Sequence, residues 1–353
     1  MAERPPSDAS RHLPPRGGEI GRPAAIAVFV LVVLFAVPAL TNAYWVVVLT
    51  ATGIYTIVAL GLALLVGRVG MVSLGQIALL AVAGWIALRL GFATHLPFPL
   101  LILATGLLTA VFGTLIGLPA LRLTGLYLAL ITLMAAAAIT LVLQAAQFPN
   151  GGGGFLGYSI STTASATLNR PAFAASYTGY YRLVVLVTGL MFLLAVLHVR
   201  SRAGRAWAAI RQSQTAALAA GVNVTLYKLW ALALASFMTG IAGGLLAASG
   251  SGLTVYEFPT QTSIILLAVV LMGGIYNFGG PIVAGLLFEF VPALLRTWGL
   301  PSDLLTILFG LGVLQVQLTA PAGLVVQVPK DLRNLARAIA RLAGRARSRE
   351  QLG

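Results

Sequence analysis

Long apolar runs alternate with short polar breaks along this chain, and the runs dictate its architecture. About 20 apolar residues wound as a helix cross about 30 Å of hydrocarbon. Runs of this kind occupy 24–40, 44–66, 69–90, 99–121, 123–146, 183–199, 229–249, 262–273, 281–295 and 303–318. They predict an all-α, polytopic transmembrane bundle of about ten spans. The run 262–273 is short and flanked by glycine. It is expected to be a broken or re-entrant element, since irregular backbone at membrane depth survives only inside protein or beside a cavity.

The polar segments divide the chain further. Residues 1–23 are rich in Pro and Arg and form a basic tail with no cleavage pattern before the first span. The transmembrane domain covers 24–325, and a second basic tail covers 326–353. In that tail Leu332, Leu335, Ile339 and Leu342 fall at helical spacing, which suits an anionic membrane surface. Two long loops interrupt the spans. The loop 148–181 carries Gly151-Gly152-Gly153-Gly154 and many Ser and Thr; it is either a solvated connector or a contact surface for an external protein. The segment 200–228 is too polar to span. It is rich in Ala, with Trp207, Ile210, Ala217 and Ala220 at helical spacing and Gly221 near its end as a stop signal. Two readings fit it: a surface helix anchored by Trp207, or an amphipathic helix that enters a groove on a partner.

Composition supports the bilayer. The 353 residues are 59% hydrophobic and 8% charged, against about a quarter charged in ordinary soluble domains, and the mean hydropathy is +0.96. The charge is lopsided, with 22 Lys and Arg against 8 Asp and Glu. Nucleic-acid binding is a poor explanation, because the basic residues lie between and beyond apolar runs. Positive charge retained on the cytoplasmic side explains them better. With both termini inside, Arg68, Arg122, the segment 200–228 and the basic tail all fall inside by parity. Arg89, Arg170, Arg182, Glu257 and Arg296 fall outside.

Several chemistries are excluded. The chain has no cysteine, so disulfides, thiolate catalysis and Cys-based metal sites are out. His12, His95 and His198 form no ligand motif, and paired carboxylates are lacking. The lysines are Lys228, after Tyr227, and Lys330, after Pro329. Neither can complete a phosphate-binding Gly-Lys loop, so no ATPase site of that type is expected. Within the spans Glu289 is the clear acidic group, thin support for coupling to protons or sodium. A membrane enzyme lacks its constellation, and a transporter of this composition would take energy from a partner.

Ordered motifs add a resemblance. They are Gly67-Arg68-Val69-Gly70-Met71-Val72-Ser73-Leu74-Gly75-Gln76, then Leu121-Arg122-Leu123-Thr124-Gly125-Leu126-Tyr127-Leu128-Ala129. Arg200-Ser201-Arg202-Ala203-Gly204-Arg205, Ala209-Ile210-Arg211, Ala216-Ala217, Gly221-Val222 and Tyr227-Lys228 follow. Gly273-Gly274, Gly279-Gly280-Pro281 and Pro321-x-Gly323-Leu324 complete the set. In order and spacing they resemble the permease subunits of ABC importers of the branched-chain amino acid (Liv-type) group, over roughly 40 to 325.

The resemblance implies a bacterial inner-membrane permease that translocates branched-chain amino acids or a similar small polar solute. Its expected partners are ABC ATPase subunits that consume the ATP, a second permease subunit, and an extracytoplasmic solute-binding protein. No cofactor is implied. The segment 200–228 becomes the cytoplasmic coupling loop, with Arg205, Ile210, Arg211, Ala216 and Gly221 as candidate ATPase contacts. Where that family usually has acidic residues, this loop has Gln212, Ser213, Gln214 and Leu218. Ser73, Gln76, Thr132, Asn277 and Glu289 are candidates for lining the path; each could equally serve as an interhelical hydrogen bond. Gly70, Gly75, Gly274 and Gly280 would permit close approach or broken helices. The competing possibility is an ion-coupled secondary transporter, and the solute itself is not legible.

Overall fold

A computed structural model of the chain describes residues 32–94, 96–121, 123, 125–145, 168–250, 253, 255–299, 304, 307, 310–312, 314–315 and 323–327. Residues 1–42 form one unit and 43–353 a second. In the first, a π-wound turn, Val32–Ala36, continues into a short helix, Val37–Leu40. The second unit holds the bundle.

Among its described residues seven helices are long and apolar enough to cross a membrane. These are α1 (Ala43–Val69), α2 (Gln76–Ala93), α3 (Phe98–Ala120), α4 (Leu126–Ala145), α5 (Tyr177–Arg200), α8 (Val224–Ala247) and α10 (Gly280–Thr297). Two short helices, α6 (Arg202–Gln212) and α7 (Gln214–Ala219), stand between α5 and α8, and α9 (Gln261–Gly273) precedes α10. All of these elements are helical. The chain is therefore a multi-pass membrane protein.

Burial sorts the helices into a core and a periphery. In the most apolar window, 72% of α1, 67% of α2 and 72% of α8 is buried, against 17% of α5 and 28% of α4. The outer helices present leucines such as Leu186, Leu190, Leu193 and Leu197, which lipid solvates at no cost because acyl chains are equally apolar. The central helix α8 packs on α3, α2 and α1. With no hydrophobic drive between helices in lipid, close backbone approach must supply the attraction. Gly240 provides it: a Cβ there would lie 2.7 Å from both Gly106 Cα and Thr109 Cβ.

The structure moves several predicted boundaries. The run 69–90 does not start a helix at Val69. The chain stays helical to Val69 through a π-wound turn, Leu65–Val69, and breaks at Gly70, whose φ of 80° favours glycine. Helix α2 begins only at Gln76. Helix α5 starts six residues before the predicted 183, where Ser176 Oγ accepts from Gly179 N–H at 3.0 Å. Helix α8 takes over Val224 to Lys228, assigned above to the loop, because Asn223 Oδ1 caps it by accepting from Leu226 N–H at 3.0 Å. Helix α9 has 13 residues, about 20 Å at 1.5 Å rise each, too short to cross alone. It ends at Gly274 (φ 109°) and the chain turns into α10. A Cβ on Gly273 would strike the carbonyl of Gly280, so the two limbs of this hairpin touch through backbone. Most of the predicted span 303–318, the first eight residues of 24–40, Arg122, His95, residues 148–167, the tail 1–23 and residues 328–353 of the second tail lie outside the described residues.

Candidate functional site

The segment between α5 and α8 folds as an elbow, and it is two helices where the periodicity predicts one. Ser213 causes the break. Its backbone is extended (φ −160°, ψ 121°), and its Oγ accepts from Ala216 N–H at 3.3 Å, capping α7. Ser201 caps α6 in the same way, accepting from Ala203 N–H at 3.2 Å. Serine favours such positions because its hydroxyl satisfies a helix-terminal amide that lacks an intrahelical acceptor. Helix α7 ends at Gly221 (φ 78°), where Val222 N–H returns to the Ala217 carbonyl at 2.9 Å.

One face of the elbow is sealed onto the bundle. Ala206, Trp207, Ile210 and Ala217 are buried, and Trp207 Nε1 donates to the Tyr227 carbonyl at 2.8 Å. Lys228 Nζ, near the start of α8, donates to Gln214 Oε1 at 3.0 Å. Arg211 forms the longest-range link. Its Nη1 donates to the Gly67 carbonyl at 2.6 Å and its Nη2 to the Tyr276 hydroxyl at 2.7 Å. The guanidinium also lies 4.5 Å from the Tyr276 ring centroid, a cation–π geometry. Arg68 Nη2 donates to the Tyr276 carbonyl at 3.0 Å and stacks over Phe278. The elbow, the end of α1 and the α9–α10 turn therefore meet at Tyr276.

The five candidate coupling residues do not share one surface. Ala216 and Gly221 are exposed on the outer part of the elbow, and Arg205 is exposed on a flank of α6. Ile210 is 2% exposed and packs inward. Arg211 is exposed at its edge, yet spends its hydrogen bonds on this same chain.

The five path candidates separate into four places. Ser73 and Thr132 share a crevice, and Gln76 is buried against α8. Thr132 Oγ1 accepts from Leu74 N–H at 3.0 Å, and Gln76 Oε1 accepts from the Thr239 hydroxyl at 2.7 Å. Gln76 is 1% exposed, and its Nε2 has no partner among the described residues. Ser73, Gly75 and Thr132 line a narrow crevice closed by Gly113, Gly117 and Leu232. Asn277 is exposed in the α9–α10 turn beside Arg68. Glu289 is half-buried in the π-wound turn Leu286–Phe290 within α10.

Sequence reasoning missed Thr239 and Tyr276. Thr239 carries no signal, because threonine inside an apolar helix usually bonds its own backbone, as Thr105 does to the Leu101 carbonyl. Tyr276 had one: an aromatic residue beside Asn277 in a glycine-rich turn.

Comparison with known proteins bears on the whole chain. The family described as "Branched-chain amino acid transport system / permease component" matches residues 44–316. The high-affinity branched-chain amino acid transport system permease protein LivM of Escherichia coli (strain K12) is 30% identical over 345 residues, covering 91% of this chain and 79% of the relative. The protein of the same name from Salmonella typhimurium is 29% identical over the same shares. No solved structure matches.

Proposed function

Since this chain belongs to the branched-chain amino acid transport permease family, we propose that it carries branched-chain amino acids, or a similar small polar solute, across a bacterial inner membrane. It is the permease subunit of an ABC importer, a transport component and not an enzyme. The observation that carries this is the extent of the match: 44–316 takes in all seven spanning helices and the elbow.

In this proposal separate ATPase subunits supply the energy, a second permease subunit completes the path, and an extracytoplasmic binding protein delivers solute. The elbow faces the cytoplasm, with both termini. Ala216 and Gly221, on its outer turn, meet the ATPase. Ile210 and Arg211 are the inward half of the same lever. ATPase closure moves α6, and Arg211 passes that motion to the end of α1 through Gly67 and to the α9–α10 hairpin through Tyr276. Ser73, Gln76 and Thr132, with Asn277 and Glu289, line the path or hold its walls. A packed interface with two discrete arrangements can convert such a small shift into switching.

The test is uptake by proteoliposomes holding the permease pair, the ATPases and the binding protein. Leucine, isoleucine and valine should accumulate with ATP and persist after an uncoupler, while urea should not accumulate. Uptake without ATPases, collapsing with the uncoupler, would instead identify an ion-coupled carrier.

A further inference from the structure

A second feature lies beside the elbow, on the flank of α6 that faces neither the core nor the outer turn. A hollow of about 540 Å³ opens there. Gly204, Arg205, Ala208, Arg211 and Gln212 line it from α6, a set of positions that share one helical side. Gly67 and Arg68 close it from the end of α1, and Val199 from the end of α5.

Three arginines, Arg68, Arg205 and Arg211, thus line one open space. No carboxylate lines it, and among the described residues the carboxylates are Glu257 and Glu289 alone. The C-terminal tail 326–353 is itself basic, with seven Lys and Arg against two carboxylates. Like charges gathered in this way repel unless an anion is supplied from outside. The hollow also has a defined depth. Two spanning helices, Ala43–Val69 and Tyr177–Arg200, end at its rim, which places it at the level where hydrocarbon gives way to lipid headgroups. Arginine is the residue best suited to the ligand found there, because its planar fork bonds two phosphate oxygens at once.

We propose that this hollow is a binding site for the phosphate headgroup of an anionic phospholipid. Arg205 grips the headgroup, and Arg68 and Arg211 add charge at its sides while keeping their bonds to Tyr276 and Gly67. The site needs only the bilayer and does not depend on the transported solute.

The experiment uses the full-length permease, delipidated in detergent and examined by native mass spectrometry with phosphatidylglycerol or phosphatidylcholine. Wild-type protein should hold phosphatidylglycerol in preference. Arg205→Gln should lower its occupancy roughly fivefold, the effect of one basic residue near an anionic lipid surface. Arg202→Gln, an exposed neighbour outside the hollow, should not. Arg205→Lys should keep most of the preference, which separates lost charge from lost fold. Equal retention of both lipids, or equal loss in Arg202→Gln, would overturn the site. Thermal stabilisation by inorganic phosphate alone as large as by phosphatidylglycerol would assign a soluble anion in its place. Displacement of the lipid by the ATPase subunit would assign the hollow to an acidic protein surface, and the lipid assignment would fall.

Discussion

Tyr276 illustrates how much a single side chain can join. Its hydroxyl, ring and carbonyl each receive a different contact from Arg211 or Arg68. Tyr276→Phe removes the hydroxyl and keeps the ring. The expected loss is about 1 kcal/mol in thermal stability, the size of one hydrogen bond at a partly exposed site. The more telling measurement is solute moved per ATP hydrolysed, which should fall while hydrolysis continues. Unchanged stoichiometry would remove Tyr276 from the relay. Gln76 poses the opposite problem, that of a buried amide. Thr239→Val takes away the partner of its oxygen and should cost about 1–3 kcal/mol, the usual penalty for a stranded buried group. Adding Gln76→Leu should recover much of that loss, because the unsatisfied amide goes too. Melting curves of the two variants decide it: a double variant no better than the single would show that shape, not hydrogen bonding, holds α2 to α8. The glycine-rich turn marked the place of Tyr276 but not its arginine partners, and nothing in the sequence marked Thr239. A hydropathy pattern reports which residues are apolar, and says nothing of which threonine in a bundle turns from its own backbone to a neighbouring helix, as Thr239 does.

At the scale of elements, the sequence revealed more. Seven apolar runs became seven helices of spanning length, and their existence followed from the lack of any other way to bury the backbone in lipid. Their ends were less legible. Gly70, Ser176 and Asn223 displaced three helix starts by several residues, since a cap acts over one or two positions while hydropathy averages over many. Ser213 split the elbow for the same reason: alanine-rich periodicity continues through it, but its backbone does not. Packing between elements can be tested with glycine. Gly240→Val would drive Cγ atoms into Gly106 and Thr109 on α3, and should cost about 1–3 kcal/mol, as overpacking does. Gly189→Ala on α5 meets nothing within 4 Å and should be neutral or stabilising by up to about 1 kcal/mol, since alanine is the better helix former. Thermal shift in detergent compares the pair. If both behave alike, close approach of α3 and α8 is not what holds the core.

For the whole molecule, orientation is the property to measure, and the chain is well suited to it, having no native cysteine. Helix α8 has 24 residues and is therefore about 36 Å long, enough to separate the elbow at its start from Tyr256 beyond its end. Both Leu218 and Tyr256 are exposed. Leu218→Cys should react with an impermeant maleimide only in inverted vesicles, and Tyr256→Cys only in right-side-out ones. The reverse pattern would turn the proposed lever away from its ATPase. The excess of arginine in alternate loops was the sequence's statement on this point.

The glycine contacts of α8 also bear on how the molecule moves. Where helices meet backbone to backbone, there is no side chain to change rotamer and no slack for one helix to slide past the next. Gly61 and Gly243 extend such contacts to α1 and α2, a Cβ there lying 3.1 Å from the Ala235 carbonyl and 3.0 Å from the Leu80 carbonyl, so α1, α2, α3 and α8 should tilt as one piece. Helix α10 joins the same piece, since a Cβ on its Gly285 would lie 2.8 Å from the Thr52 carbonyl of α1.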